Sequence, residues 1–309
     1  MSAIEAAIYC GGPLYIGGTP IIEDLKASGF TTVIGWALHV GSNGDLSFND
    51  TVIVSGGHYI GSPGWPARLA NLKKGTTGVN RLLLSVGGAG VQDFENIGTL
   101  MGHGAILLDN FQALKSAIPA VDGIDLDDEE LPFNRNTVIT FSQMLGFIGY
   151  QVTFCPYRDP DDWIACLEAL GGATPNPVTG INLQCYAGGT GQDPGTWAQA
   201  ISAAMGWTPS QGEAFVCPGL WCLNPLGGGC PGALQTRFSQ WQSSGITSGF
   251  IWLYDDILNY EESGFCQGPM DTLAYAQAVL QGLGGAPARR DVSKGGPAVR
   301  PRKPPRHKR

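Results

Sequence analysis

Val121-Asp-Gly-Ile-Asp-Leu-Asp-Asp-Glu129 is the stretch that decides the fold, because it alternates acids at 125, 127 and 129 with Ile124 and Leu126. Side chains of a β-strand point alternately to opposite faces, so Asp125, Asp127 and Glu129 share one face while Ile124 and Leu126 share the other. Such a strand suits a closed barrel. Its apolar face packs on surrounding helices, and its acids climb the interior towards the C-terminal mouth, where barrels of this kind do their chemistry. Carboxyls this close inside a sheet cannot all ionise, so at least one has a raised pKa. Glu129, nearest the mouth, is the candidate proton donor.

Outward from this stretch, short β-rich runs alternate with amphipathic helical ones, the pattern of βα units around a parallel sheet. Strands are predicted at residues 7–12, 31–40, 81–88, 121–129, 151–157, 180–189, 213–221 and 249–256, with a helix after each, the last over 270–283. The predicted fold class is therefore α/β, a (β/α)8 TIM barrel, and 309 residues suit one such domain. We expect residues 1–284 to form the catalytic barrel and 285–309 a disordered basic tail rich in Pro, Gly and Arg. A doubly wound open sheet is disfavoured, since Cys10-Gly-Gly-Pro-Leu-Tyr-Ile-Gly-Gly18 follows the first strand without a G-x-G-x-x-G phosphate loop.

Charge divides along the chain. Residues 285–309 hold nine of the 18 Lys and Arg and one acid, leaving the body strongly acidic. That body would repel a phosphate backbone, so no nucleic-acid partner is expected. The tail reads as a solvated extension, with attachment to an anionic cell surface as the alternative. No run approaches the roughly 20 apolar residues that span a bilayer, so no membrane partner is expected either. Only 14% of residues are charged, which suits a secreted carbohydrate-active protein, although the opening MSAIEAAIYCGG carries no signal-peptide pattern. We expect a monomer.

Of eight cysteines, Cys222 and Cys230 flank the glycine-rich NPLGGG segment and are the expected disulfide. No C-x-x-C pair supports zinc, and His39, His58 and His103 are scattered as loop or core histidines. Read as an EF-hand, the acidic stretch fails: the sixth residue from Asp125 is Glu130 rather than Gly, and the twelfth is Asn136 rather than Glu. No metal and no cofactor are expected.

Asp122-Gly-Ile-Asp-Leu-Asp-Asp-Glu129 matches the D-G-x-D-x-D-x-E signature, and Ser85-Val-Gly-Gly88 the S-x-G-G element, of glycoside hydrolase family 18, which the chain resembles over residues 6–283. That family contains chitinases and endo-β-N-acetylglucosaminidases. Tyr186 matches its sixth-strand tyrosine and Trp252 its eighth-strand tryptophan. The sixth strand departs from the Met-x-Tyr-Asp of larger chitinases, with Gln184 and Tyr186 followed by Ala187. The resemblance implies substrate-assisted catalysis. Glu129 protonates the leaving oxygen, Asp127 orients the sugar's 2-acetamido group, Asp125 shares a proton with Asp127, and Tyr186 donates to the acetamido oxygen. Trp252 floors the pocket, and Tyr157, Gln184 and Gly88 are the other expected substrate contacts. Asp122, whose parity takes it off the catalytic face, is expected to be structural, as are Ser85 and Gly87. Tyr9, Trp36, Trp221 and Tyr254 also lie on predicted strands or their ends, within reach of a sugar.

The expected substrate is chitin or a chito-oligosaccharide, cut internally. An N-glycan chitobiose core is the alternative, because that branch of the family often ends its signature in the Asp-Asp-Glu seen at 127–129, and because residues 41–65 form a long polar segment able to wall the cleft. A catalytically silent chitin-binding lectin is the third reading. It is disfavoured because such proteins usually lose the terminal Glu or an inner Asp, and all four acids of the signature are present here.

Overall fold

In the computed structural model, which describes residues 4–172, 176–222 and 228–286, eight parallel strands close into a barrel surrounded by helices. The barrel strands are Glu5–Cys10, Thr32–Val40, Arg81–Gly87, Gly123–Asp127, Gln151–Phe154, Val178–Gln184, Val216–Trp221 and Ser248–Trp252. Each pairs with its successor, and the ring closes where Ala7 of the first strand meets Phe250 of the eighth. The predicted (β/α)8 barrel is the observed one. The basic tail lies outside the described residues beyond Ala286, as do residues 223–227 of the glycine-rich segment.

Alternation decides what faces where. Ile8, Val33, Leu82, Leu84, Ile124, Leu126, Val152, Phe154, Ile181, Leu183, Leu220 and Ile251 are buried in one large core between sheet and helices. A second, smaller cluster fills the barrel: Ala7, Tyr9, Ile34, Leu83, Cys155, Tyr186, Cys217 and Phe250, with Trp36, Trp221 and Trp252 packed against it. The Phe250 ring fits inside the barrel only because its neighbour on the seventh strand is glycine. A Cβ on Gly219 would stand 2.0 Å from the Phe250 ring.

All eight expected helices are present, among them Ile106–Ala117, Arg135–Ile148 and Thr272–Gly282. Among the described residues four further α-helices lie between them and the strands: Gly12–Ile16, Asp93–Met101, Pro209–Phe215 and Tyr254–Tyr260. Two of these shorten expected strands. Residues 213–215 are helical because Thr208 and Gln211 form a reciprocal capping box that starts a helix at Pro209. The eighth strand stops at Trp252, and Asp255 and Asp256 then favour the N-terminal turn of Tyr254–Tyr260. Tyr254, expected within reach of a sugar, is consequently fully buried against the helix layer, where its hydroxyl donates to Asp24 Oδ2 at 3.0 Å.

Residues 41–65 are more ordered than a polar loop. Leu46–Phe48, Thr51–Ser55 and His58–Tyr59 add three antiparallel strands to the end of the second barrel strand, with Leu38 opposite Phe48. Leu46, Phe48, Ile53 and Val54 bury one face of this extension. Its apolar half makes it a sheet rather than a loop.

The disulfide is also not the expected one. Cys230 pairs with Cys266, Cα to Cα 5.6 Å, tying the segments that follow the seventh and eighth strands. Cys222 is a buried free thiol directed at the Leu253 carbonyl. Among the described residues no helix is long and apolar enough to cross a membrane.

Candidate active site

The inward face of the fourth strand carries Asp125 and Asp127, both buried, and Glu129 follows two residues beyond the strand's end, half-buried on the same side. Asp125 is surrounded by donors. Its Oδ2 accepts from Tyr9 Oη (2.8 Å) and Ser85 Oγ (2.7 Å), and its Oδ1 from Thr153 Oγ1 (2.6 Å) and Asn182 Nδ2 (2.9 Å). These come from the first, third, fifth and sixth strands, each from an inward position. Three hydroxyls and one amide thus converge on the Asp125 carboxyl. Hydrogen bonds to a charged group contribute about 1.5–3 kcal/mol each. They oppose the upward pull of burial on the Asp125 carboxyl without overcoming it.

Asp127 sits one layer higher. Its Oδ2 accepts from Trp36 Nε1 at 3.3 Å and its Oδ1 from Gln184 Nε2 at 2.9 Å. Burial pushes its carboxyl well above the usual range, and the neighbouring Glu129 and Asp125 push it further. The same Gln184 nitrogen lies 3.3 Å from Glu129 Oε1 and 3.2 Å from the Cys155 carbonyl. Glu129 is raised by burial, against opposing pulls from the Gln184 hydrogen bond and the positive charge of Arg158. One amide therefore couples the two acids nearest the mouth.

Both glycines of the S-x-G-G element are explained by the site. Gly87 has φ +108, and a Cβ there would stand 2.3 Å from the Asp127 carbonyl. Gly88, at φ +120, donates its N–H to that carbonyl at 2.8 Å and lies against the Trp36 indole. Ser85 is a donor to Asp125, so it serves the acids directly. Asp122 stands where its parity indicated: both carboxylate oxygens are 2.7 Å from Lys73 Nζ, and Oδ2 also accepts the Leu82 N–H.

Around the acids stands an aromatic wall. The Trp252 ring lies 4.8 Å from Trp36 edge to face, 5.4 Å from Tyr9, and 6.1 Å from Tyr186, to which it is nearly parallel. Trp221 adjoins Tyr186 at 6.0 Å and donates its indole N–H to Asp256. Tyr157, half-buried, carries the Arg158 guanidinium 5.1 Å from its ring and abuts Gly188 in the segment after Tyr186.

Sequence reasoning missed the roles of Tyr9, Trp36, Thr153, Asn182 and Cys155, whose thiol is 3.2 Å from the Tyr9 hydroxyl. Their common signal is inward parity on neighbouring strands, which becomes readable once register is known. Among the described residues no group of three or more His, Cys, Asp or Glu side chains is arranged to hold a metal ion.

No protein-family model and no curated protein matches the chain. Solved structures do match in fold. A GH18 chitinase from Pseudoalteromonas aurantia is similar at 14% identity and TM-score 0.62, over 90% of this chain and 100% of that one. The catalytic domain of a hyperthermophilic chitinase from Pyrococcus furiosus is similar at 9% identity and TM-score 0.64, over 92% of this chain and 96% of that one. A family GH18 chitinase from Cycas revoluta, solved with allosamidin, is similar at 10% identity and TM-score 0.57, over 89% and 99%. At these identities the likeness is one of fold, and it spans almost the whole of each chain.

Proposed function

We propose that this protein is a glycoside hydrolase of family 18 type that cleaves β-1,4-linked N-acetylglucosamine polymers by substrate-assisted, retaining catalysis. The observation that carries the reading is the convergence of Asp125, Asp127 and Glu129 on one inward face, with Gln184 bridging the upper two. A barrel interior is an unfavourable place for three carboxyls, and chemistry is the reason to keep them there.

In this reading Glu129, whose carboxyl burial pushes up, gives its proton to the glycosidic oxygen. The sugar's own acetamido oxygen attacks the anomeric carbon as the bond to the leaving sugar breaks, giving an oxazolinium-type intermediate. Asp127 accepts the acetamido N–H and faces the positive charge that develops, a role aimed at the transition state. Asp125, fixed by its four donors, holds Asp127 in a negative field. Glu129 then takes a proton from water, which attacks the same carbon and reopens the ring. Tyr186 lies on the same wall to hydrogen-bond the acetamido oxygen, and Trp252 offers a flat face to the pyranose. Gln184 and Tyr157 flank the substrate.

Fold likeness to chitinases, one of them solved with allosamidin, supports this substrate class. A second reading, cleavage of an N-glycan chitobiose core, is favoured by the three-strand extension at residues 46–59, which gives the second βα segment a wall beside the mouth. The Cys230–Cys266 disulfide supports secretion into an oxidising compartment. Incubation with chitotetraose and with a high-mannose glycoprotein, products weighed by mass spectrometry, tests the assignment. Chito-oligosaccharide products are expected. Deglycosylation with chitotetraose left intact would replace chitin by the N-glycan, and turnover of neither would overturn the enzyme.

A further inference from the structure

The end of the second strand and the segments after the third and fourth strands are laced together by two carboxylates. Asp93, the first residue of helix Asp93–Met101, accepts the Val40 N–H at 2.7 Å and lies 2.8 Å from His39 Nδ1. Glu130 reaches the same helix from the fourth strand. Its Oε1 accepts from the Phe94 N–H at 2.7 Å and its Oε2 from the Glu95 N–H at 2.8 Å. The helix receives no side-chain cap from its own N-cap residue, Gln92, so a carboxylate distant in sequence supplies the acceptor that its first turn needs.

Glu130 also closes a short span. On its other side the Asp127 carbonyl accepts the Gly88 N–H at 2.8 Å, and the Glu130 N–H itself donates to Asp128 Oδ1 at 3.0 Å. Between the anchored carbonyl of 127 and the anchored side chain of 130 only Asp128 and Glu129 remain. A two-oxygen grip on two successive amides fixes direction as well as distance.

We propose that Glu130 is a positioning residue: by clamping the end of the fourth strand to the first turn of helix Asp93–Met101, it sets the direction in which the Glu129 carboxyl meets the bond to be cut. This rests on the reading of Glu129 as proton donor. Glu130 lies one residue past the motif that carries the family resemblance, and it acts through backbone geometry without touching substrate. Misplacement of a reacting group by about 1 Å costs on the order of 100-fold in rate, so a loosened clamp is expressed in turnover more than in binding.

The test compares wild type, Glu130→Ala, Glu130→Gln and Asp193→Ala on chitotetraose. In parallel, the Glu129 carboxyl is followed by 13C NMR in glutamate-labelled protein, its resonance assigned by its loss in Glu129→Gln. Glu130→Ala should lower kcat by about 10-fold or more with KM within about two-fold, and should move the Glu129 resonance. Glu130→Gln, which keeps one acceptor oxygen, should recover part of both. Asp193 caps helix Pro194–Met205, which follows the sixth strand, through the Thr196 N–H. Its removal should lower Tm while leaving kcat and the Glu129 resonance in place. A folded Glu130→Ala with kcat and resonance at wild-type values overturns the proposal, as does loss of activity that follows Tm equally in Glu130→Ala and Asp193→Ala. If wild type leaves chitotetraose intact, the functional reading fails, and the Glu129 resonance alone then decides the clamp: moved upholds it, unmoved overturns it. Should Glu130→Ala fail to fold, the same two readouts on Glu130→Gln decide.

Discussion

Gln184 Nε2 stands 2.9 Å from Asp127 Oδ1 and 3.3 Å from Glu129 Oε1, so a single side-chain amide serves both acids at the mouth of the barrel. Its hydrogen bond favours the ionised form of Glu129 and opposes the larger, upward effect of burial. Gln184→Met removes that bond at nearly constant volume, so the Glu129 pKa should rise. A proton donor works only below its pKa, and the alkaline limb of the kcat–pH profile should therefore move to higher pH. Turnover at the optimum should fall about 10-fold as Asp127 loses its anchor. A profile recorded on chitotetraose checks this, and an alkaline limb that stays put or moves down counts against it.

What the sequence made legible follows the range of each interaction. The inward face of the fourth strand is a local property, since parity alone puts Asp125, Asp127 and Glu129 together and sends Ile124 and Leu126 outward. The four donors to Asp125 come from four other strands, and nothing local states that Tyr9, Thr153 and Asn182 stand at its level. Cys230 found Cys266 rather than Cys222 for the same reason: sequence proximity says little about which thiols face each other. Helix Asp93–Met101 was missed although Phe94 and Ile97 have helical spacing, because glycines crowd both its ends. Tyr254 was misplaced by extending strand parity past Trp252, where the chain turns into a helix.

Glu129→Gln should abolish nearly all turnover, on the order of 100- to 10,000-fold, with Tm little changed, because it deletes the proton while keeping shape and most hydrogen bonding. Asp127→Asn should approach that loss although Asp127 forms no covalent bond to the sugar in the proposed reading, since it removes the carboxylate that orients the acetamido group and faces the developing charge. Steady-state rates on chitotetraose with matched melting curves measure both. Retention of more than about a tenth of wild-type kcat in Glu129→Gln would remove it as the donor.

Asp128 offers a test of stability rather than of rate. It is 5% exposed, and burial raises its carboxyl to about 7. The unfolded value is about 3.9, so the folded state favours the protonated form. Stability from that form is complete below about pH 4 and is lost as pH rises to about 7, where the folded protein ionises as well. Asp128→Asn cannot ionise, yet keeps an oxygen for the Glu130 N–H. Its Tm should exceed that of wild type at pH 8, and the gap should close towards pH 4. Calorimetry at the two pH values decides, and a gap of equal size at both would show that the carboxyl is not held neutral.

The first product released should carry the β-anomeric configuration of the bond that was cut. An inverting enzyme must fit a water between its acid and a second carboxylate, and needs about 6.5–9.5 Å between the two groups. Asp127 Oδ1 and Glu129 Oε1 both bind the Gln184 nitrogen, and those two bonds laid end to end fall short of that gap. Asp125 is no better placed as a base, because both of its oxygens already accept two donors each. In the reading proposed above the attack comes from the substrate, whose acetamido oxygen is the group within reach of the anomeric carbon. Acetamido attack inverts that carbon and water attack inverts it again. Proton NMR of chitotetraose hydrolysis, recorded before mutarotation, should show β signals first. A fully de-N-acetylated tetramer, which lacks the internal nucleophile, should not be cut. Early α signals would sink double displacement, and cleavage of the deacetylated tetramer at a comparable rate would sink substrate assistance while leaving Glu129 as the acid.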